Sequence, residues 1–470
     1  MLFNSWVFLA FFAATFAAYW VTSRKLVLQN LVLLIASYVF YGWWNWKFLG
    51  LIVLSTAIDY VAGLKIADEE DDAKRKRWVA VSCVSNLGIL AAFKYFDFFL
   101  GSLGEALAMV GMEAAMPSLE WVLPVGISFY TFQSMSYSID VYRGETKASR
   151  NPLDFAVYVA FFPQLVAGPI ERSSRFLPQV RQKRSITTAG LEAGLFLVLW
   201  GLFKKVVVAD NAAVIANAVF DDAASHQGME LWLGALAFTI QIYGDFSGYS
   251  DIARGLAKTM GFELMVNFKL PYFAVSPSDF WRRWHVSLSS WLRDYLYIPL
   301  GGNRGGAVGT YRNLFLTMLL GGLWHGAAWH FVLWGAYHGT LLIVFRLAGA
   351  VRGPWLPRKT LWADLLRMSV MFPLTVGGWV LFRVQTMADL QAFLDGAFTS
   401  TEAEVGLTAV ILAALWAPVL LMQLAQAISD DLLVALRLPV LLRGVLYGLF
   451  IACCVAFATG ESIEFIYFQF

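Results

Sequence analysis

The feature that most constrains this chain is the recurrence of apolar runs about 20 residues long, the length a helix needs to cross a bilayer. They fall near 5–22, 26–45, 47–65, 78–100, 121–142, 187–208, 231–253, 363–382, 405–426 and 441–459, with further apolar regions at 153–170 and 313–345. Hydrophobic residues make up 59% of the chain and charged residues 14%. Soluble domains sit nearer roughly half and a quarter, so a membrane protein is indicated. Only helices and closed barrels satisfy their backbone inside lipid, and barrel strands are short and alternating, which these runs are not. The expected fold is a single all-α integral membrane domain over 1–470, with about 10–11 transmembrane helices plus re-entrant or broken helices.

Charge sets the expected orientation. Met1–Trp20 lacks a basic leader region, and Arg24 and Lys25 follow the first run instead, so a first span with its N-terminus outside is expected. The run Ala67–Trp78 (ADEEDDAKRKRW) reads as a solvated cytoplasmic loop, and Tyr41–Trp46 (YGWWNW) as an outer aromatic belt. Basic segments flank the 153–170 region on both sides, and it carries Pro163, Gly168 and Pro169. A re-entrant, broken element fits better there than a full crossing. Asp210–Glu230 is acidic without Lys or Arg and reads as an outer loop, whereas Arg254–Arg312 is rich in both and reads as cytoplasmic. Arg383–Glu404 and the tail Glu461–Phe470 are expected outside.

The region 313–345 also leaves from and returns to a basic flank, through Arg312 and Arg346. Two full crossings need about 20 residues each, so two shorter helices meeting partway through the membrane are expected, near Gly321, Gly322 and Gly326. His325, in LWHG, would then lie at the turn, buried in protein. An ionisable group at that depth is costly and marks a pathway or a reaction site by default. Burial disfavours the charged imidazole, so it would be neutral and able to take a proton from a hydroxyl, as acyl transfer to an alcohol requires. A histidine satisfied by a neighbouring carbonyl is the alternative.

A metal site is not expected. On one continuous helix His330 and His338 would be rotated about 140° from His325 in opposite senses, so they read as packing or interfacial residues. Cys83, Cys453 and Cys454 all lie in apolar runs and read as small buried hydrophobes. His285 falls in FWRRWHVSLSSWL, where Phe280, Trp284, Leu288, Trp291 and Tyr295 form a stripe at helical spacing. Two readings stand for that amphipathic helix: an interfacial anchor, or the cytoplasmic mouth of a tunnel lined by His285, Arg282 and Asp294. Asp245 and Asp251, in IYGDFSGYSDIARG, are expected to pair with basic groups, with a polar tunnel lining as the alternative for both and Asp245 the candidate carried forward. Gly301–Gly306 (GGNRGG) lacks a Walker Lys-Ser/Thr and a preceding strand, so it is a weak phosphate-binding signal.

Several blocks, in order, resemble the membrane-bound O-acyltransferase (MBOAT) family, in particular its bacterial branch of alginate O-acetylation and teichoic acid D-alanyl transfer membrane proteins. They are YGWWNW, LPVGISFYTFQSMSYSIDVYRG at 123–144, FFPQLVAGPIER at 161–172, YGDFSGYSDIARGL at 243–256, the 280–304 block, YRNLFLTMLLGGLWHG at 311–326 and the terminal FIYFQF. The resemblance implies that His325 is the essential catalytic histidine and that His285 occupies the family's second histidine position. Both would lie in or near a central tunnel joining the two membrane faces, with Trp324 beside them. It implies a bacterial inner-membrane protein with both termini outside, taking an acetyl group from a cytoplasmic thioester, acetyl-CoA or an acyl carrier protein. The acceptor would be a polysaccharide hydroxyl such as alginate, reached directly or through an extracytoplasmic acetyltransferase partner. Peptidoglycan O-acylation and D-alanyl transfer are the alternatives within the family, and a lipid or acyl-group transporter is the alternative outside it. No permanently bound cofactor and no nucleic-acid partner are expected.

Overall fold

The computed structural model describes residues 1–112, 115–352, 360–400, 405–458 and 465–466. The described residues form helices and no strand. They divide into two compact units, Met1–Leu195 with Ala253–Met265, and Phe196–Ile252 with Val266–Phe470.

The first unit opens with α1 (Trp6–Val21), α2 (Leu26–Asn45), α3 (Leu49–Asp68), α4 (Asp72–Leu90) and α5 (Phe96–Met109). It continues through α6 (Ile127–Arg143), α7 (Pro152–Ala160), α8 (Phe162–Leu165), α9 (Ser173–Arg181) and the start of α10 (Thr188–Leu202). The basic run at 74–77 lies inside α4, so the expected loop over 67–78 shrinks to the few residues between α3 and α4. Asp71 caps α4 by accepting from the Ala73 amide, and that is where the chain turns. Trp43, Trp44 and Trp46 are exposed at the α2–α3 junction, as a belt at a lipid–water boundary requires. The 153–170 region is broken as expected, with α7 and α8 parted at Phe161. Asp59 of α3 is buried and accepts hydrogen bonds from Ser138 Oγ at 2.8 Å, Asn86 Nδ2 at 2.7 Å and Ser82 Oγ. That carboxyl ties α3 to α4 and α6.

The second unit holds the end of α10, α11 (Asp210–Phe220), most of α12 (Met229–Thr259), α13 (Pro277–Arg283), α14 (Val286–Leu292) and α15 (Gly306–His325). It ends with α16 (Trp329–Arg352), α17 (Leu361–Arg383), α18 (Met387–Gly396), α19 (Gly406–Ser429) and α20 (Val440–Ala456). A π-helical turn over Phe203–Ala209 joins α10 to α11, so the expected outer loop from Asp210 begins as helix. That wider turn presents Lys204 and Lys205 to different partners. Lys204 Nζ pairs with Asp251 at 2.7 Å; Lys205 Nζ pairs with Asp210 at 2.8 Å and Asp245 at 2.7 Å. Asp245 and Asp251 thus each pair with a lysine, as the sequence predicts.

Five helical stretches among the described residues are long and apolar enough to cross a membrane: Leu26–Asp68, Asp72–Met109, Trp329–Gly349, Leu361–Arg383 and Gly406–Ser429. The first of these contains both α2 and α3. Trp6–Val21 and Val440–Ala456 are shorter apolar helices. The chain is a multi-pass membrane protein. Of the segments expected outside, residues 401–404, 461–464 and 467–470 lie outside the described residues, as do the basic residues Arg358 and Lys359.

The 313–345 region departs from expectation in length. α15 has 20 residues and α16 has 24. At 1.5 Å per residue they reach about 30 and 36 Å, a full bilayer core each rather than half of one. The sequence undercounts because Arg312 and Asn313 look like a helix boundary. Inside α15 their polarity is met locally: Arg312 donates to Asn313 Oδ1, and Asn313 Nδ2 donates to the Gly302 carbonyl at 3.1 Å.

Candidate active site

The α15–α16 hairpin is held backbone to backbone. A methyl group on Gly322 would run into the Phe331 carbonyl oxygen, and one on Gly335 into the Met318 carbonyl oxygen. Small residues allow that approach, the usual device of helix pairs in lipid. The turn at 326–328 leaves His325 as the last residue of α15, as the sequence predicts. It is only 5% exposed. Its ring centroid lies 5.1 Å from Trp324, 5.0 Å from Trp334 and 5.4 Å from Phe382, each near perpendicular. Edge-to-face packing on three aromatics fixes where the imidazole points.

His285 reaches the same cluster by a route the sequence does not reveal. The continuous amphipathic helix expected over this block is broken, with α13 ending at Arg283 and α14 starting at Val286. His285 stands in the gap with φ +42°, a left-handed conformation that side-chain-bearing residues seldom adopt. Such strain persists only where the surroundings enforce it, and it clusters at functional sites. The enforcing residue is Asn267. Its carbonyl accepts from the Val286 amide at 2.9 Å; its Oδ1 accepts from the Ser287 amide at 3.1 Å and from Ser287 Oγ at 2.9 Å. His285 Nδ1 lies 3.2 Å from the same Oδ1. The donating Ser287 amide identifies that atom as oxygen, so Nδ1 carries the ring proton and Nε2 the lone pair. His285 is fully buried, and burial pushes its imidazole down to about 3, which keeps it neutral.

Phe280, Trp284, Leu288 and Trp291 are all buried in protein, which removes the interfacial-anchor reading. The His285 ring is 4.7 Å from Phe246 and 6.1 Å from Trp324. Trp324 therefore touches both candidate histidines.

Two cavities lie near this cluster at different levels of the hairpin, lined by chain neighbours of the two histidines rather than by the histidines themselves. The first, about 300 Å³, is lined by Trp281, Arg282, Val286, Arg293, Met318 and Leu342 among others. The second, about 420 Å³, is lined by Gln241, Gly326, His330, Arg383 and Gln385 among others. Met318 lies seven residues before the end of α15 at His325, about 10 Å along its axis, and Gly326 follows that end, so Trp324 and His325 fall between the two linings. The first cavity adjoins Val286, next to His285; the second adjoins Gly326, next to His325.

Of the remaining expected site residues, Arg282 lines the first cavity. Asp294 instead pairs with Arg293 at 2.7 Å, and Arg293 is the member that lines it. Asp245 borders neither cavity. Besides Lys205 it holds the Ile466 amide at 2.7 Å, and Ile466 forms part of the second cavity's wall. His338 packs between Trp281 and Trp334, at 5.2 and 4.7 Å, as a core residue. His330, read from sequence as packing or interfacial, lines the second cavity. Asn267, Trp334 and Phe382 were not singled out by sequence, and no local motif marks them.

A buried imidazole with a fixed lone pair suits proton transfer to or from a hydroxyl. The comparisons with known proteins point to that chemistry. Residues 145–371, which include both histidines, match the model of the membrane-bound O-acyltransferase family. Over 389 residues the chain is 46% identical to the probable alginate O-acetylase AlgI of Pseudomonas syringae, covering 82% of this chain and 73% of that protein. The chain belongs to the MBOAT family. This acyltransferase is also 36% identical to the peptidoglycan O-acetyltransferase of Helicobacter pylori, over 84% of this chain and 79% of that protein. With the teichoic acid D-alanyltransferase of Bacillus subtilis it shares 29% identity, over 55% of this chain and 68% of that one.

Asn267 supplies a test of the His285 geometry. Asn267→Leu should lower acyl transfer roughly tenfold, the cost of about one hydrogen bond to a group that must be oriented. Asn267→Asp, which keeps the acceptor oxygen, should recover most of it. Equal rates in the asparagine and leucine proteins would remove Asn267 from the site.

Proposed function

We propose that this acyltransferase moves an acetyl group from a cytoplasmic thioester to a hydroxyl of a cell-surface polysaccharide such as alginate, in the bacterial inner membrane. The observation that carries the reading is the pair of buried histidines, His325 at the hairpin turn and His285 in the α13–α14 gap, both packed on Trp324, with one cavity adjoining the chain neighbour of each. The donor, acetyl-CoA or an acyl carrier protein, enters by the cavity near Arg282 and Arg293, whose charge suits a phosphate-bearing carrier. The acceptor hydroxyl enters by the cavity at the hairpin turn, near Arg383 and Gln385 at the far end of α17. Charge distribution supports a cytoplasmic 254–312 segment and an outer 383–404 segment, which puts the two cavities toward opposite faces and both chain termini outside.

In the transfer step His325 takes the hydroxyl proton as the oxygen attacks the thioester carbonyl. A C–O ester bond forms, the C–S bond breaks, and the proton passes to the departing thiolate. His285, with its lone pair on Nε2, positions the donor. AlgI-type relatives favour alginate; the peptidoglycan relative keeps a second glycan acceptor in view. An extracytoplasmic partner can complete delivery.

Purified protein given a thioester labelled in its acyl group should convert label to hydroxyl ester at the expense of thioester. A transporter would leave the ester count unchanged, and that result would end the proposal.

A further inference from the structure

The second cavity contains hydrogen-bonding atoms for which the acyl-transfer step has no use. His330 Nδ1 lies 3.2 Å from the Gln385 carbonyl oxygen. A carbonyl can only accept, so Nδ1 carries the proton and Nε2 presents a lone pair. Nε2 is buried and meets no donor, and His330 is 8% exposed. Gln241, 7% exposed, lines the same cavity with a buried Oε1 that also meets no donor. Buried acceptors are nearly always satisfied, so two in one cavity call for donors that are absent from the chain. Beside them Arg383 is held in place by Asn217 Oδ1 and Asp221 Oδ1, each at 3.0 Å from Nη2, with further N–H groups to offer an oxygen.

We propose that this cavity seats the sugar ring that carries the accepting hydroxyl. His330 Nε2 and Gln241 Oε1 receive its O–H groups, and Arg383 donates to its oxygens. A volume of about 420 Å³ lies in the range of small-ligand sites. A sugar matches the lining better than a seryl side chain, whose single hydroxyl would meet only one of the two acceptors. His330 is thus a positioning residue, close to the reacting oxygen through Gly326 and the hairpin turn but not the proton acceptor. This inference rests on the acyl transfer proposed above.

The test uses the full chain in lipid nanodiscs, with labelled acetyl-CoA as donor and a mannuronate tetrasaccharide as acceptor. His330→Phe keeps the ring volume and the contact with Phe331, whose centroid is 4.1 Å away, but removes the lone pair. It should raise the acceptor KM roughly tenfold, the effect of one lost hydrogen bond, while the donor KM stays at the wild-type value. Gln241→Leu should do the same independently, and decides alone if the first variant fails to fold. His330→Gln, which offers both an N–H to Gln385 and an acceptor to the cavity, should restore most of the affinity. Wild-type acceptor KM in both lone-pair variants overturns the inference. So does a wild-type protein that acetylates a seryl peptide but not the tetrasaccharide. Transfer that survives His325→Ala would instead undo the underlying acyl-transfer reading, so the two failures are distinguishable.

Discussion

Alanine in place of His325 is expected to lower acyl transfer by at least roughly a hundredfold, the low end of what a positioned general base contributes. The whole hairpin converges on that ring. It ends α15, it is buried, and three aromatic rings hold it edge to face. The alanine side chain also leaves a void among Trp324, Trp334 and Phe382, so some loss of stability will accompany the loss of activity. His325→Phe separates the two effects. It refills the space with an apolar ring of similar shape, and it should recover solubilised yield and thermal stability without recovering the ester product. Acetylation of cell-surface glycan at the wild-type level in either variant would show that another group takes the proton.

The second large effect is expected at Gly322. Gly322→Ala places its methyl against the Phe331 backbone oxygen, and backbone cannot step aside as a flexible side chain can. The helices must move apart, a strain of about 1–3 kcal/mol or more by analogy with overpacked cores. Parting them shifts His325, the last residue of α15, relative to His285 in the gap between α13 and α14. The expected outcome is a protein that reaches the membrane in reduced amount and has reduced turnover per molecule. Gly309→Ala, on the same helix with open space around it, is the matched control and should be silent. Equal behaviour of the two variants would mean that the seam tolerates separation.

How much of this was legible beforehand can be judged residue by residue. The burial of His325 at a helix turn followed from glycines and from basic flanks on both sides, signals local to the sequence. The length of its helices did not follow, because Asn313 finds its partner at Gly302, across a loop rich in glycine. At His285 the apolar stripe from Phe280 to Tyr295 fits an unbroken helix. What breaks it is Asn267, 18 residues upstream, and no periodicity argument reaches that far. The rotation from His325 to His330 follows from one continuous helix, whereas the chain turns between them. The family blocks carry the two histidines that the fold brings to one aromatic cluster, but which side chains fill the space around them is a tertiary matter.

The left-handed backbone at position 285 carries a consequence for how this site can vary. Asparagine, aspartate and glycine visit that region at little cost, while β-branched residues are nearly barred from it. Substitution there is therefore filtered first by main-chain conformation and only then by ring chemistry. An asparagine would preserve the bend together with a polar head, whereas a valine would have to unmake the corner between two helices before any question of reactivity arose.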